Sequence, residues 1–457
     1  MLAPTLDIGE LLQHAPKCIA LWLLTFVPAA LLLITTPKTS ILRWLWFPCF
    51  VALAHSLCVE LFNATFYAGF RVLCAALTGN ALTVAMIMLT IERPGPEDMA
   101  QDEVYHVNDN IVKKVAWTCA RFYNFRAMGT AWQIKRIPAH PRYLTSRRGP
   151  DGQFPLKTYL VRQVLILTWQ YLLMDLTFEM SITQPPEESF AMIGDDAEYV
   201  YRNLTPEQWQ GRVMIGWVSW LTSARAVIDV YYRLTSILVM SLGLSNPDIW
   251  PPLFSSVAEV YTIRGFWSYV NSSQFRRALA NRCDRTFWHQ YLRWPLTSFS
   301  NFITRRVLRL PTPSIIERYL NIFLVFFGSG VLHVLIDYYD PQVSSSTFGA
   351  TMLFFSSFAP AIMIEDAVQA IWRSVSGAGP RKEDAPVPLW HKLVGYVWVT
   401  SWFMMATPWF LYPKVRLPPD MSAFVPFLIT PHVGLPVVGG LLAIGAPILL
   451  FGLGAEI

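Results

Sequence analysis

The sequence predicts an all-α, polytopic membrane protein, on three observations. Of its 457 residues 53% are hydrophobic and only 15% are charged, where a soluble chain of this length carries about 25% charged residues. The mean hydropathy is +0.36. The apolar residues also cluster into blocks of about 20 residues, the length that crosses a bilayer core as a helix, separated by polar connectors. Lipid leaves backbone groups no partner outside their own segment, so such blocks are expected to be helical.

The blocks come in a definite order. Cys18–Thr36 is the first. The chain opens with "MLAPTLDIGE", which has no basic n-region, so this block is expected to remain as a span and not to be cleaved. Leu45–Phe66 is broken by Pro48 and carries His55 and Glu60, for which structural polar contacts are the reading. Leu73–Ile91 completes an N-terminal group over residues 1–92. Residues 93–157 are polar and of mixed charge, with turn signals in "RPGPED" and "SRRGPDG"; helical pieces at the membrane face are expected there. Membrane character resumes over 158–457, with spans at Thr158–Phe178, Val213–Leu244, Ile315–Tyr338, Thr347–Ile364, Leu393–Leu411 and Phe424–Leu453. That makes a bundle of about eight to ten transmembrane helices.

Net charge is a modest +5. Clusters such as "KTYLVR" and "RRVLR" flank apolar blocks and read as membrane-edge anchors, so no nucleic-acid partner is expected. The six cysteines have no paired spacing, and neither a disulfide framework nor a metal site is expected. Metalloprotease, lipase, P-loop and dinucleotide-binding motifs are all missing. No internal repeat appears, which argues against a transporter built from duplicated halves.

Within this frame His333 stands out. It lies in the apolar run "FFGSGVLHVLIDYY", with Ser329 and Asp337 four residues to either side, near one helix face. An ionisable group in a span is expensive and faces the bundle interior or a wet cavity. A carboxylate can accept from one ring nitrogen and leave the other as a base. Two readings stand on the residues alone: a general base oriented by Asp337, or a histidine tied to a neighbouring helix. A second candidate is "TFWHQYLRWP", where His289 and Arg293 share a face among Trp288, Tyr291 and Trp294. Its alternative is an interfacial aromatic belt with a basic anchor.

The ordered set "WPPLF" (Trp250–Phe254), "TIRGFW" (Thr262–Trp267), "FWHQYLR" (Phe287–Arg293), "SGVLH" (Ser329–His333), "IEDAVQAIWR" (Ile364–Arg373) and "GYVWVTSWFMMATPWF" (Gly395–Phe410) resembles the wax-synthase-like branch of the membrane-bound O-acyltransferases. It is similar in particular to fungal members that acetylate terpenoid and meroterpenoid intermediates. "RFYNFRAMGTAW" (Arg121–Trp132) resembles that branch's "NxRGIGW" stretch, with Ala127, Met128 and Thr130 as departures.

The resemblance implies an enzyme with an internal reaction chamber, in the endoplasmic reticulum membrane. It would move the acyl group of acetyl-CoA, a co-substrate and not a resident cofactor, to a hydroxyl of a hydrophobic alcohol, beside the other enzymes of a biosynthetic cluster. The family's membrane histidine falls on His333 and its second polar position on His289. His333, neutral near pH 7, would take the hydroxyl proton; His289 would support the oxyanion or the thioester; Asp337 would orient the imidazole. Arg285, Arg293 and Trp288 are the expected acyl-CoA contacts, as are basic residues between Arg121 and Arg136, with a membrane-edge anchor as the alternative for each arginine. A long-chain wax or sterol ester synthase shares every motif. A departure from the branch lies at Tyr269–Asp284, a polar insert between "RGFW" and "RTFWHQ": either a surface loop or intron sequence retained in the gene model.

Overall fold

A computed structural model describes residues 8–64, 68–90, 109–130, 133–134, 137–150, 152–194, 197–255, 257, 260–267, 288, 290–340, 343–377, 387–417 and 425–455. Among the described residues the chain is helical, with no strand. The polar insert, together with Arg285 and His289, lies outside them.

Three N-terminal helices, α1 (Ile8–Thr35), α2 (Ile41–Ala64) and α3 (Ala68–Thr90), pack on one another. Phe26, Phe50, Leu57 and Leu77 lie in their shared core. The polar residues inside these helices are used structurally. Glu60 accepts from His14 at 2.8 Å and also binds Lys17, while His55 meets the Tyr339 hydroxyl at 2.9 Å. A short helix, α4 (Ile111–Phe122), rests against α1; the Asn110 side chain caps it by accepting from Lys113 N.

Next come α5 (Leu156–Thr183) and α6 (Pro206–Ser241), the latter opened by a Thr205/Gln208 capping box. α6 is not uniform. It passes through a π segment at Met214–Val218 and breaks at Thr222, whose φ/ψ of −115°/−89° no helix adopts. At Gly216 the backbone comes so near α11 (Leu389–Val415) that a Cβ would lie 3.2 Å from Met404 Cα. Between them in sequence lie the five-residue turn of helix α7 (Ile263–Trp267), α8 (Arg293–Asn301), α9 (Ile315–Tyr339) and α10 (Phe348–Ser376). Ser314 caps α9, accepting from Glu317 N at 3.1 Å, and Gly377 ends α10 in the left-handed region at φ 62°. α12 (Leu435–Pro447), continued by a π turn to Gly452, packs back on α5.

Among the described residues six helices are long and apolar enough to cross a membrane: Leu11–Thr35, Ile41–Ala64, Pro206–Ser241, Ile315–Tyr339, Ser345–Ser376 and Leu435–Gly452. The protein is a multi-pass membrane protein. The other three expected spans also form helices, α3, α5 and α11. α5 falls short on apolarity because it carries an internal polar face, with Arg162, Gln163, Gln170 and Asp175 all buried against neighbours. The largest core joins α6 to α11 through Trp220, Phe266, Trp267, Phe354, Phe358 and Phe403. Aromatic side chains bury large areas and interlock at offset and edge-on angles, which suits a rigid central layer.

Candidate active site

His333 projects from α9 into this aromatic layer. Its ring stacks on Phe355 of α10, with centroids 4.0 Å apart and planes 26° apart, and meets Phe410 of α11 edge-on at 5.7 Å. Its Nδ1 lies 2.7 Å from the carbonyl oxygen of Ser329. A carbonyl only accepts, so Nδ1 must carry the proton, and the neutral imidazole then has its lone pair on Nε2. Three helices thus hold one ring, and one backbone bond sets its tautomer.

The orienting partner expected from the sequence was Asp337, and the structure gives that place to Ser329. Helical side chains lean toward the preceding turn, so the imidazole reaches back to Ser329 and away from Asp337. Asp337, only 6% exposed, is occupied elsewhere. One carboxylate oxygen pairs with Lys414 Nζ at 2.5 Å and the other accepts from Thr351 Oγ1 at 3.2 Å. Lys414 Nζ also sits 4.4 Å from the centroid of Phe410, the ring that touches His333. Asp337 therefore ties α9 to α10 and α11 one turn beyond the histidine.

The model of the membrane bound O-acyl transferase family matches residues 281–357, the stretch that holds His333 and Asp337. "Acetyltransferase TRI7" of Fusarium sporotrichioides is 38% identical over 436 residues, covering 94% of each chain. The chain belongs to the membrane-bound O-acyltransferase family. "Acetyltransferase pyr8" of Aspergillus fumigatus is 35% identical over the whole of both chains, and "Acetyltransferase atnC" of an Arthrinium species is 35% identical over 90% of this chain and 91% of its own. No solved structure matches.

In this O-acyltransferase the six motifs meet through contacts that their order alone did not reveal. Glu365, from "IEDAVQAIWR", receives the backbone N–H groups of Ile263 at 2.5 Å and Arg264 at 3.4 Å, and Trp398 Nε1 at 3.0 Å. It thereby caps the "RGFW" turn and ties it to "GYVW". Asp366 binds the Arg264 guanidinium at 2.6 Å and 2.7 Å, Arg318 at 2.5 Å and the Tyr319 hydroxyl at 3.2 Å. The turn so held presents Phe266 O to Trp288 N at 2.9 Å. Trp288, 3% exposed, is a core residue: its ring stacks on Phe266 at 5.3 Å and meets Trp220 edge-on at 5.1 Å. Arg293 is buried at the start of α8. Both of these expected acyl-CoA contacts are thus buried.

Arg126 also has a structural use. It donates to the carbonyls of Pro251 at 2.7 Å and Pro252 at 2.8 Å, fixing the "WPPLF" loop to the "NFR" stretch. Two adjacent carboxylates directly after the apolar block Thr347–Ile364 were the legible signal for Glu365 and Asp366, since a membrane helix keeps such groups only with partners.

Proposed function

We propose that this O-acyltransferase is an acetyl-CoA-dependent O-acetyltransferase of secondary metabolism, acting on a hydroxyl of a hydrophobic natural product of the terpenoid or meroterpenoid kind, in the endoplasmic reticulum membrane. Three relatives that match along most of their length carry the name acetyltransferase. The observation that carries the mechanism is the 2.7 Å bond from His333 Nδ1 to Ser329 O, which leaves Nε2 as the base.

Nε2 takes the proton of the acceptor hydroxyl as its oxygen forms a bond to the acetyl carbonyl carbon. The tetrahedral intermediate collapses, the carbon–sulfur bond breaks, and the proton held on Nε2 passes to the departing CoA sulfur. No acyl-enzyme forms. General-base help of this kind is worth about 10²–10⁴-fold. The remaining acceleration comes from alignment of the two substrates in a dry chamber, where water cannot take the acetyl group. His289, five residues before Trp294 and one after the anchored Trp288, is the candidate to meet the developing oxyanion. Arg285 and Arg293 remain the candidates for the CoA phosphates. Asp337 acts by position, fixing α9 against α11, and does not touch the imidazole.

The test is acyl transfer by microsomes holding the full chain, with acetyl-CoA set against palmitoyl-CoA and extracts of hydroxylated terpenoids as acceptors. Acetyl transfer should dominate, and His333→Ala should lower it at least 100-fold at unchanged protein level. Preference for palmitoyl-CoA would make the chain a wax or sterol ester synthase, and a fully active His333→Ala variant would end the general-base reading.

A further inference from the structure

Helix α6 is long and apolar enough to span, so the segments at its two ends lie on opposite sides of the membrane. Before it runs the segment 184–205, and side-chain contacts fix what shares that side. Arg416, just past α11, donates to Glu198 at 3.0 Å and 3.1 Å and to the carbonyl of Gly194 at 2.7 Å. Lys414, near the end of α11, meets Asp337 near the end of α9, and Asp337 accepts from Thr351 at the start of α10. The segment 184–205, the α9–α10 connection and the end of α11 therefore form one face. The other face holds the segment after α6, where Asp248 binds Arg148 at 2.7 Å, and with it the residues that lead into α5. It also holds the start of α9 and the later part of α10, joined where Arg318 and Arg264 bind Asp366.

The two faces differ in their cations. Residues 184–205 include only Arg202, and residues 340–347 include no lysine or arginine. Lys414 and Arg416, on the same face, are taken up by Asp337 and Glu198. On the opposite face Arg147, Arg148 and Lys157 lead into α5, and Arg305, Arg306 and Arg309 lead from α8 into α9, all of them exposed. Short loops rich in lysine and arginine stay on the cytosolic side of a membrane, which sets the segment 184–205 on the far side.

That segment ends in the sequon Asn203-Leu204-Thr205. Asn203 is exposed, in a turn with φ 57° that asparagine adopts more readily than most residues. α6 begins with the polar stretch Pro206–Arg212 before its apolar run starts at Val213. At 1.5 Å per residue that stretch lifts the sequon about 10 Å clear of the run. Asn63, in another sequon, lies in the last turn of the spanning helix α2 and has no such polar lead. The third, at Asn271, lies outside the described residues.

We infer that the chain crosses the endoplasmic reticulum membrane with its arginine-bearing face in the cytosol, and that Asn203, on the lumenal face, carries an N-linked glycan. The Asn203 amide nitrogen forms a bond to the anomeric carbon of a lipid-diphosphate-linked oligosaccharide. The bond from that carbon to the phosphate oxygen breaks, and the lipid diphosphate and one amide proton leave. The choice of membrane rests on the function proposed above; the sidedness does not.

The experiment uses the full chain in sealed microsomes, whose cytosolic face is outward. Peptide-N-glycosidase should shift the band by one glycan step. Asn203→Asp, which keeps a residue suited to the left-handed region, should run with the digested wild type. No shift, or a shift that survives in Asn203→Asp, overturns the glycan. Sidedness is read with a membrane-impermeant maleimide at two exposed positions. Ser146→Cys should label above the wild-type background in intact vesicles, and Glu188→Cys only after detergent opens them. Glu188→Cys labelled in intact vesicles, or Ser146→Cys silent in them, overturns the orientation. Asn203→Asp should keep wild-type acetyl transfer and His333→Ala should keep the glycan, so failure of the catalytic reading and failure of this one are told apart.

Discussion

At the scale of single residues, the site depends on which partner each buried polar group has. Asp337 is held by Lys414 and Thr351 and leaves His333 to a backbone carbonyl. Lys414→Met strands a buried carboxylate, and stranding one partner of a buried pair costs about 3–5 kcal/mol. Lys414 is 21% exposed, so screening lowers the expected loss to about 2–3 kcal/mol. The double variant Lys414→Met with Asp337→Asn should recover at least half of that in detergent thermal unfolding. A double variant as unstable as the single one would mean that the pair is not coupled. His140, in the polar segment outside the spans, offers a pH test. Burial pushes its pKa down to about 4, its ring packing on Phe154 at 4.5 Å. The unfolded chain then binds more protons than the native one between about pH 4 and pH 6.5, so stability is full above about 6.5 and falls as pH drops toward 4. A midpoint titration should show this slope and its absence in His140→Phe; a slope unchanged in the variant would assign it to other groups.

At the scale of elements, the apolar blocks and their order were legible in the sequence because lipid imposes helices on such blocks, and His333 was legible because an ionisable side chain is expensive in one of them. The contacts between elements were not. Asp337 meets Lys414 across 77 residues and Glu365 meets Ile263 across 102, and no local pattern encodes a separation of that length. The reason for Gly395 was hidden in the same way. A Cβ there would sit 2.1 Å from the carbonyl oxygen of Tyr261, a backbone atom that cannot swing aside. Gly395→Ala is therefore expected to cost more than the usual 1–3 kcal/mol of overpacking, read as loss of folded protein on size-exclusion chromatography. Normal yield and midpoint would show that the "GYVW" glycine is dispensable. Glu365→Gln keeps the shape but turns an N–H₂ toward groups that themselves donate. Its loss is expected at about 2–3 kcal/mol, the range for a hydrogen bond to a charged group plus an unsatisfied donor. Activity should fall with it, because the "RGFW" turn carries the backbone that holds Trp288.

At the scale of the whole molecule, described residues on both sides of the polar insert meet in one core. Trp267 and Trp288 lie on either side of the insert in sequence, their rings are 5.7 Å apart, and Trp288 N donates to Phe266 O at 2.9 Å. Deleting Tyr269–Asp284 leaves Ser268, Arg285, Thr286 and Phe287 to join those two anchors. Four residues span about 13 Å when extended, ample for ends already in contact, and shortening a loop changes closure entropy only slowly. The deleted chain should therefore reach the same thermal midpoint within about 1 kcal/mol of stability and keep acetyl transfer within severalfold of the full chain. The transcript separates the two origins of the segment: a message lacking these codons makes it intron sequence, and a message containing them makes it a loop. If the deletion variant folds but loses transfer while the message carries the segment, then Tyr269–Asp284 takes part in the reaction, and the position of His289 depends on it.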